Sequence, residues 1–120
     1  MAKKALVVDD KEEIRDIVRA ALIRDGWEVL IASGGREGWN VVEENTPSLV
    51  VSDINMPDGS GEELCWRIKR VFIGVKVILM SGISDNVNLA FKAGADGFLG
   101  KPFSIKDLYS LVATVITESK

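Results

Sequence analysis

The sequence predicts a doubly wound (βα)5 α/β domain, a parallel five-stranded sheet with helices on both faces. Three observations predict it. Short apolar runs alternate strictly with segments of helical periodicity. Several of those runs are continuous, as strands buried on both faces require. Turn-forming or polar residues stop each run abruptly, and 120 residues suffice for one domain with a real core.

Ala5-Leu6-Val7-Val8 is the first strand and ends in Asp9-Asp10. Apolar spacing then turns helical at Ile14, Ile17, Val18, Ala21 and Leu22, and Asp25-Gly26 closes that helix. Trp27 to Ala32 reads as the second strand, with Ser33 as N-cap of a helix running to about Asn45 and carrying Val41 and Val42 inward. Thr46-Pro47 breaks the chain before Leu49-Val50-Val51-Ser52-Asp53, a strand that ends in an acid. After the Gly59-Ser60-Gly61 turn, Leu64, Cys65, Ile68 and Val71 mark a third helix. Val75 to Met80 is the fourth strand and leads to Ser81-Gly82. A weaker helix from about Asp85 to Ala93 is closed by Gly94, and Gly97 to Gly100 is a short fifth strand before Lys101-Pro102. The last helix is the clearest, with Ile105, Leu108, Leu111, Val112, Val115 and Ile116 on one face.

Composition narrows the chemistry. A net charge of −3 argues against nucleic-acid or anionic-membrane binding. The chain has no histidine and a single cysteine, Cys65, which excludes Ser-His and Cys-His catalysis, zinc sites and an internal disulfide. Cys65 reads as a small apolar helix residue. The absence of a signal-like segment and of any membrane-length apolar run points to the cytoplasm.

The carboxyl ends of parallel strands share one edge, which gathers Asp9, Asp10, Asp53, Ser81 and Lys101. In the order 2-1-3-4-5 the first and third strands are neighbours, so Asp10 and Asp53 lie side by side. Three ionised carboxylates so close are costly without a cation between them, and hard oxygen ligands suit Mg²⁺ or Mn²⁺. Each residue alone has a plainer reading. The acid pair favours a helix N-terminus, Asp53 suits a turn, Lys101 a solvated loop, and Ser81 a turn or cap. Their joint arrival at four strand ends is what points to a site.

The sequence resembles the receiver domain of bacterial two-component response regulators, of the chemotaxis-receiver kind, across residues 1–120. The likeness rests on Val7-Val8-Asp9-Asp10, on Asp53-Ile54-Asn55-Met56-Pro57 with Gly59 and Gly61, and on Met80-Ser81-Gly82. It is completed by Lys92 to Leu99 leading into Lys101-Pro102-Phe103. The resemblance implies a flavodoxin-like fold and Asp53 as acceptor of a phosphoryl group from a sensor histidine kinase or phosphotransfer protein. It also implies Mg²⁺ on Asp10, Asp53 and the backbone carbonyl of Asn55, with Asp9 positioning it through water and Lys101 as fixed counter-charge. Ser81 and Phe98 are then the switch pair acting on the face of helix four, strand five and helix five, and the Lys101-Pro102 bond is expected to be cis. Such a chain is a self-modifying signalling switch, not a turnover enzyme.

Ser81 stands where threonine is frequent in such domains and Phe98 where tyrosine is common, which touches the strength of the switch but not the acceptor. Asn55 and Ile83 flank the path of attacking water and are expected to tune hydrolysis. Kinase specificity is expected on the first helix around Ile14, Arg15 and Val18. Gly97 and an arginine-free last helix weakly disfavour the DNA-binding regulators that dimerise through the switch face, although a phosphorylation-dependent homodimer stays open. The output is either a further domain or a separate target protein. Of the apolar residues near the site only Phe98 carries a functional reading, while Met56, Phe103 and Trp27 read as core or partial surface and Trp39 and Trp66 as partly exposed.

Rival readings fare worse. Phosphatases of the haloacid-dehalogenase type carry a second aspartate two residues after the nucleophile, where this chain has Asn55. A nucleotide-binding module needs a glycine-rich first turn, where this chain has Asp9-Asp10-Lys11-Glu12-Glu13. A receiver fold used as a phosphorylation-independent interaction module is the remaining alternative.

Overall fold

The computed structural model describes residues 3–82 and 86–117. Among them, strands β1 (Lys4–Val8), β2 (Glu28–Ala32), β3 (Leu49–Asp53), β4 (Lys76–Ser81) and β5 (Gly97–Gly100) alternate with five helices. The helices are α1 (Glu12–Arg24), α2 (Gly35–Asn45), α3 (Gly61–Val71), α4 (Asn86–Lys92) and α5 (Ile105–Thr117). The sheet is parallel in the order β2-β1-β3-β4-β5, as the sequence predicts. Among the described residues no helix is long and apolar enough to cross a membrane.

Strand alternation divides the core in two. Ala5, Val7, Leu49, Val51, Ile78 and Met80 face one side, where Val18, Leu22, Leu108 and Val112 of α1 and α5 cover them. Leu6, Val8, Val50, Val77 and Leu79 face the other, against Val42, Leu64, Cys65, Ile68 and Ala90 of α2, α3 and α4. With both faces covered, Val residues dominate the central strands and β3 is buried throughout. Edge strand β2 is more exposed, with Ile31 at 43%.

Local chemistry sets the helix ends. Ser60 caps α3 by accepting from the Glu63 amide at 3.2 Å, and acids open that helix while Lys69 and Arg70 close it, matching its dipole. Ser104 and Asp107 bond each other's backbone amides in a reciprocal box at the start of α5. At α2 the expectation of Ser33 as N-cap is corrected: Gly34 holds that position. Ser33 instead donates its N–H and hydroxyl to Glu37 at 2.7 and 2.9 Å, which holds that carboxyl below its usual range. Glycine is needed there, since a Cβ on Gly34 would sit 2.9 Å from the Asp58 Cβ.

Three positions predicted on inner faces are exposed. Ile105 is 39% exposed because it opens α5 ahead of the turns that pack on the sheet. Ile17 is 49% exposed because Ile14, Val18, Ala21 and Leu22 already fill the α1 stripe. Val71 is 61% exposed because α3 ends there and Phe72 packs inward in its place. Val18 is fully buried, so it takes no part in a recognition surface. The start of α4 at Asp85 falls outside the described residues.

At the opposite edge from the strand ends, Asp96 fixes three elements. It accepts from Lys69 Nζ of α3 at 2.9 Å and from the Val77 amide of β4 at 2.8 Å, just before β5 begins. Asp96→Ala is expected to cost about 2 kcal/mol, since hydrogen bonds to a charged group contribute about 1.5–3 each and this site is partly exposed. Urea unfolding measures it. A loss below about 0.5 kcal/mol would mean the cluster holds nothing.

Candidate functional site

The register brings the predicted residues to one edge. Val8 pairs Ser52 and Asp53 pairs Met80, so Asp9, Asp53 and Ser81 each end or follow a neighbouring strand at the same level. Asp9 and Asp53 share the parity of the side chains under α1 and α5, whereas Ser81 has the opposite parity. Asp9 is 0% and Asp53 5% exposed, while Asp10 stands at the surface.

Lys101 reaches into this acid cluster from the loop after β5. Its Nζ lies 3.1 Å from Asp53 Oδ1 and 3.2 Å from Asp9 Oδ2. The Lys101-Pro102 peptide is cis, as expected. Asp9 is held on every side: Oδ1 accepts from the Lys11 amide at 2.9 Å, and its backbone carbonyl accepts from Arg15 Nη1 at 2.9 Å. Arg15, named above for partner recognition, is thus turned toward the turn after β1, with its Nε buried and unpaired among the described residues.

Asp9, Asp10 and Asp53 each offer a carboxylate oxygen, and the three oxygens lie within 4.8 Å of one another. Lys101 pairs with the two buried carboxylates, and the exposed Asp10 adds a third beside them, so the acids outnumber the ammonium. Three hard oxygens at that spacing are suited to a divalent cation of the Mg²⁺ or Mn²⁺ type.

Burial pushes the Asp53 carboxyl above its ordinary range, and Lys101 only partly offsets this while Asp9 adds to it. A raised folded-state pKa means that the fold prefers protonated Asp53. That stabilisation is full below the ordinary carboxylate range, about pH 4, and is lost as pH rises through the raised value. At pH 7 the ionised group is therefore a cost. Asp53→Asn is expected to raise the thermal midpoint at pH 7 in a chelating buffer, by a margin that shrinks as pH falls toward about 4. A lower midpoint at pH 7 would contradict that account.

The loop after β3 is drawn tightly against the site. The Gly61 amide donates to the Ile54 carbonyl at 2.9 Å, and a Cβ on Gly61 would run into the Asp53 carbonyl. Gly59 takes φ +88°, a conformation few other residues adopt. Asn55 is exposed on this loop.

A family model described as the response regulator receiver domain matches residues 5–113. The chain belongs to that family. A curated relative, the alkaline phosphatase synthesis transcriptional regulatory protein PhoP of Bacillus subtilis (strain 168), is 30% identical over 100% of this receiver domain and 51% of its own length. The chain thus spans about half of that relative. A solved CheY-like receiver domain protein from Methanospirillum hungatei JF-1 is 31% identical, with TM-score 0.92 over 99% of this chain and 97% of that one. The chemotaxis response regulator CheY4 of Vibrio cholerae is 27% identical, with TM-score 0.89 over 96% and 99%. The fold is accordingly the flavodoxin-like (βα)5 arrangement of CheY.

Within this receiver domain the structure brings Asp9, Asp10, Asp53 and Lys101 into one cluster. Ser81, 2% exposed, accepts a hydrogen bond from Asn86 Nδ2 at 2.8 Å. Phe98 is half-buried against the α2–α4 side of the core. Ile83 lies outside the described residues. Sequence reasoning missed Asn86, because a polar residue at the start of a weak helix carries no signal of what it touches.

Proposed function

We propose that this receiver domain is the phosphoacceptor of a two-component phosphorelay. An oxygen of Asp53 attacks the phosphorus of a phosphohistidine on a sensor histidine kinase or phosphotransfer protein. The N–P bond breaks, an acyl phosphate forms on Asp53, and the imidazole leaves to be protonated. Lys101 engages Asp53 Oδ1 and leaves Oδ2 for the attack. Its ammonium then pairs with the charge brought by the phosphoryl oxygens. Arg15 and the Lys11 amide keep Asp9 fixed while this charge arrives.

Asp10, Asp53 and the Asn55 backbone carbonyl would hold Mg²⁺, with Asp9 behind them; when bound it neutralises phosphoryl charge during transfer. Ser81 moves to hydrogen-bond a phosphoryl oxygen through its hydroxyl, and Phe98 repacks behind it toward α4, β5 and α5. That makes the chain a switch modified once per signal, in the cytoplasm. An output domain or a separate target protein reads it, as PhoP's description as a transcriptional regulator and its greater length suggest.

The observation that supports this reading most is the Lys101 ammonium within 3.2 Å of both Asp53 and Asp9 beside a third carboxylate. Incubation with acetyl phosphate and Mg²⁺ tests it. The chain is expected to gain the mass of one phosphoryl group, and excess chelator or Asp53→Asn to abolish the gain. A gain that persists in Asp53→Asn overturns the assignment.

A further inference from the structure

The outer face of α3 runs against the charge of the chain. From Leu64 to Met80 the sequence carries four cations, Arg67, Lys69, Arg70 and Lys76, and no acid, although the whole chain stands at −3. Lys69 and Lys76 both turn to Asp96. Arg67 and Arg70 make no ion pair among the described residues, and each lies over an indole instead. Cζ of Arg67 is 4.0 Å from the centre of the Trp39 ring, and Cζ of Arg70 is 4.3 Å from that of Trp66. Three large apolar side chains are exposed in the same stretch, Trp66 at 49%, Val71 at 61% and Ile73 at 79%.

Helical spacing draws these residues together. Gly61, Leu64, Cys65 and Ile68 face the core, which leaves Trp66, Arg67 and Arg70 on the outward side. Trp66 stands one turn before Arg70, and Arg67 one turn before Val71. On its other flank Trp66 lines a groove with Leu89 and Lys92 of α4, and Leu89 is itself 39% exposed.

We infer that this face is a docking surface for an acidic amphipathic helix of a partner protein. The inference goes beyond the acceptor chemistry and does not depend on it. Trp66, Val71 and Ile73 leave water only against an apolar partner, and the unpaired guanidinium groups beside them call for carboxylates. A guanidinium already laid on an indole loses less side-chain freedom when it pairs, so Arg67 and Arg70 are prepared for that role. A groove between two helices accepts a helix whose apolar residues recur at three- and four-residue spacing. Polyanions fit worse. The phosphates of a nucleic acid offer Val71 and Ile73 no apolar surface. An anionic membrane would meet the rest of the chain, which is more acidic than −3 once these cations are set aside.

The probe is a synthetic peptide of about 15 residues, long enough to form a helix, with leucines on one face and glutamates flanking them. One companion peptide carries glutamine for each glutamate, and another carries serine for each leucine. Backbone and indole NMR shifts of the isotope-labelled chain map the contact. The acidic peptide is expected to shift Trp66 to Ile73 together with Leu89 and Lys92, and the serine peptide to shift none of them. At low salt it binds about tenfold more tightly than the glutamine peptide, a difference that shrinks as salt is added. Arg67→Gln combined with Arg70→Gln loses the same factor, and Trp66→Ser weakens both leucine-bearing peptides alike. The glutamine peptide reads the charge contribution without altering the protein, so the result does not hang on how the variants fold. Equal binding of the acidic and glutamine peptides overturns the inference, as do shifts that map to another face or no shifts at all. Shifts at Trp66 to Ile73 with phosphatidylserine vesicles or a short DNA duplex, and none with the acidic peptide, assign the face to a polyanion and overturn it equally.

Discussion

Lys101→Met is expected to destabilise the chain by roughly 3 kcal/mol at neutral pH in a chelating buffer. Lys101 Nζ is the shared partner of Asp9 and Asp53, whose side chains are 0% and 8% exposed. Removing one member of a buried ion pair leaves the other charge with neither water nor counter-charge, and such breaks cost about 3–5 kcal/mol. The lower end applies because the lysine side chain keeps 18% exposure and some water reaches it. Urea unfolding in chelator gives the value. Two additions should recover part of the loss: Mg²⁺, which supplies positive charge to the same carboxylates, and Asp53→Asn, which removes one of them. A Lys101→Met chain within about 0.5 kcal/mol of wild type would show that the ammonium balances nothing.

Gly61→Ala is expected to destabilise by about 3 kcal/mol or more, against the direction that helix propensity alone gives. Alanine is about 1 kcal/mol better than glycine inside a helix, and Gly61 is the first residue of α3. The added Cβ, however, would collide with the Asp53 carbonyl and lie 3.0 Å from Ser52 Oγ. Both are parts of β3, whose five residues are all buried, so neither can give way cheaply. The sign of the change decides which effect wins. Because the collision is with the acceptor residue's own backbone, phosphoryl uptake should fall in the fraction that still folds. Thermal unfolding and acetyl phosphate uptake read the two effects, and a stabilised, fully active Gly61→Ala would remove the close approach from the account.

Much of this molecule is legible in its sequence because burial on both faces leaves a coarse imprint. The runs at Ala5 to Val8, Leu49 to Val51 and Val75 to Met80 are too apolar for surface structure, and each stops at a polar residue where the sheet ends. Strand order then converts sequence positions into neighbours, which is how Asp9, Asp10, Asp53 and Lys101 could be placed together. What stayed hidden depends on contacts between loops. The Gly34 cap answers to Asp58, more than twenty residues away, and the exposure of Ile17 and Val71 depends on which neighbours fill the inner stripe first. Arg15 looks like an ordinary helix cation until its guanidinium is seen against the Asp9 carbonyl. Likewise nothing in the residues around Asn86 announces its bond to Ser81.

The central claim is that one carboxylate, Asp53, accepts the phosphoryl group. Digestion of the acetyl phosphate-treated chain, followed by tandem mass spectrometry under conditions that preserve acyl phosphates, tests it most directly. A single modified peptide containing Asp53 is expected, with the added mass on that residue. Modification mapped to Asp9, Asp10 or any hydroxyl residue, or none at all in the presence of Mg²⁺, would contradict it.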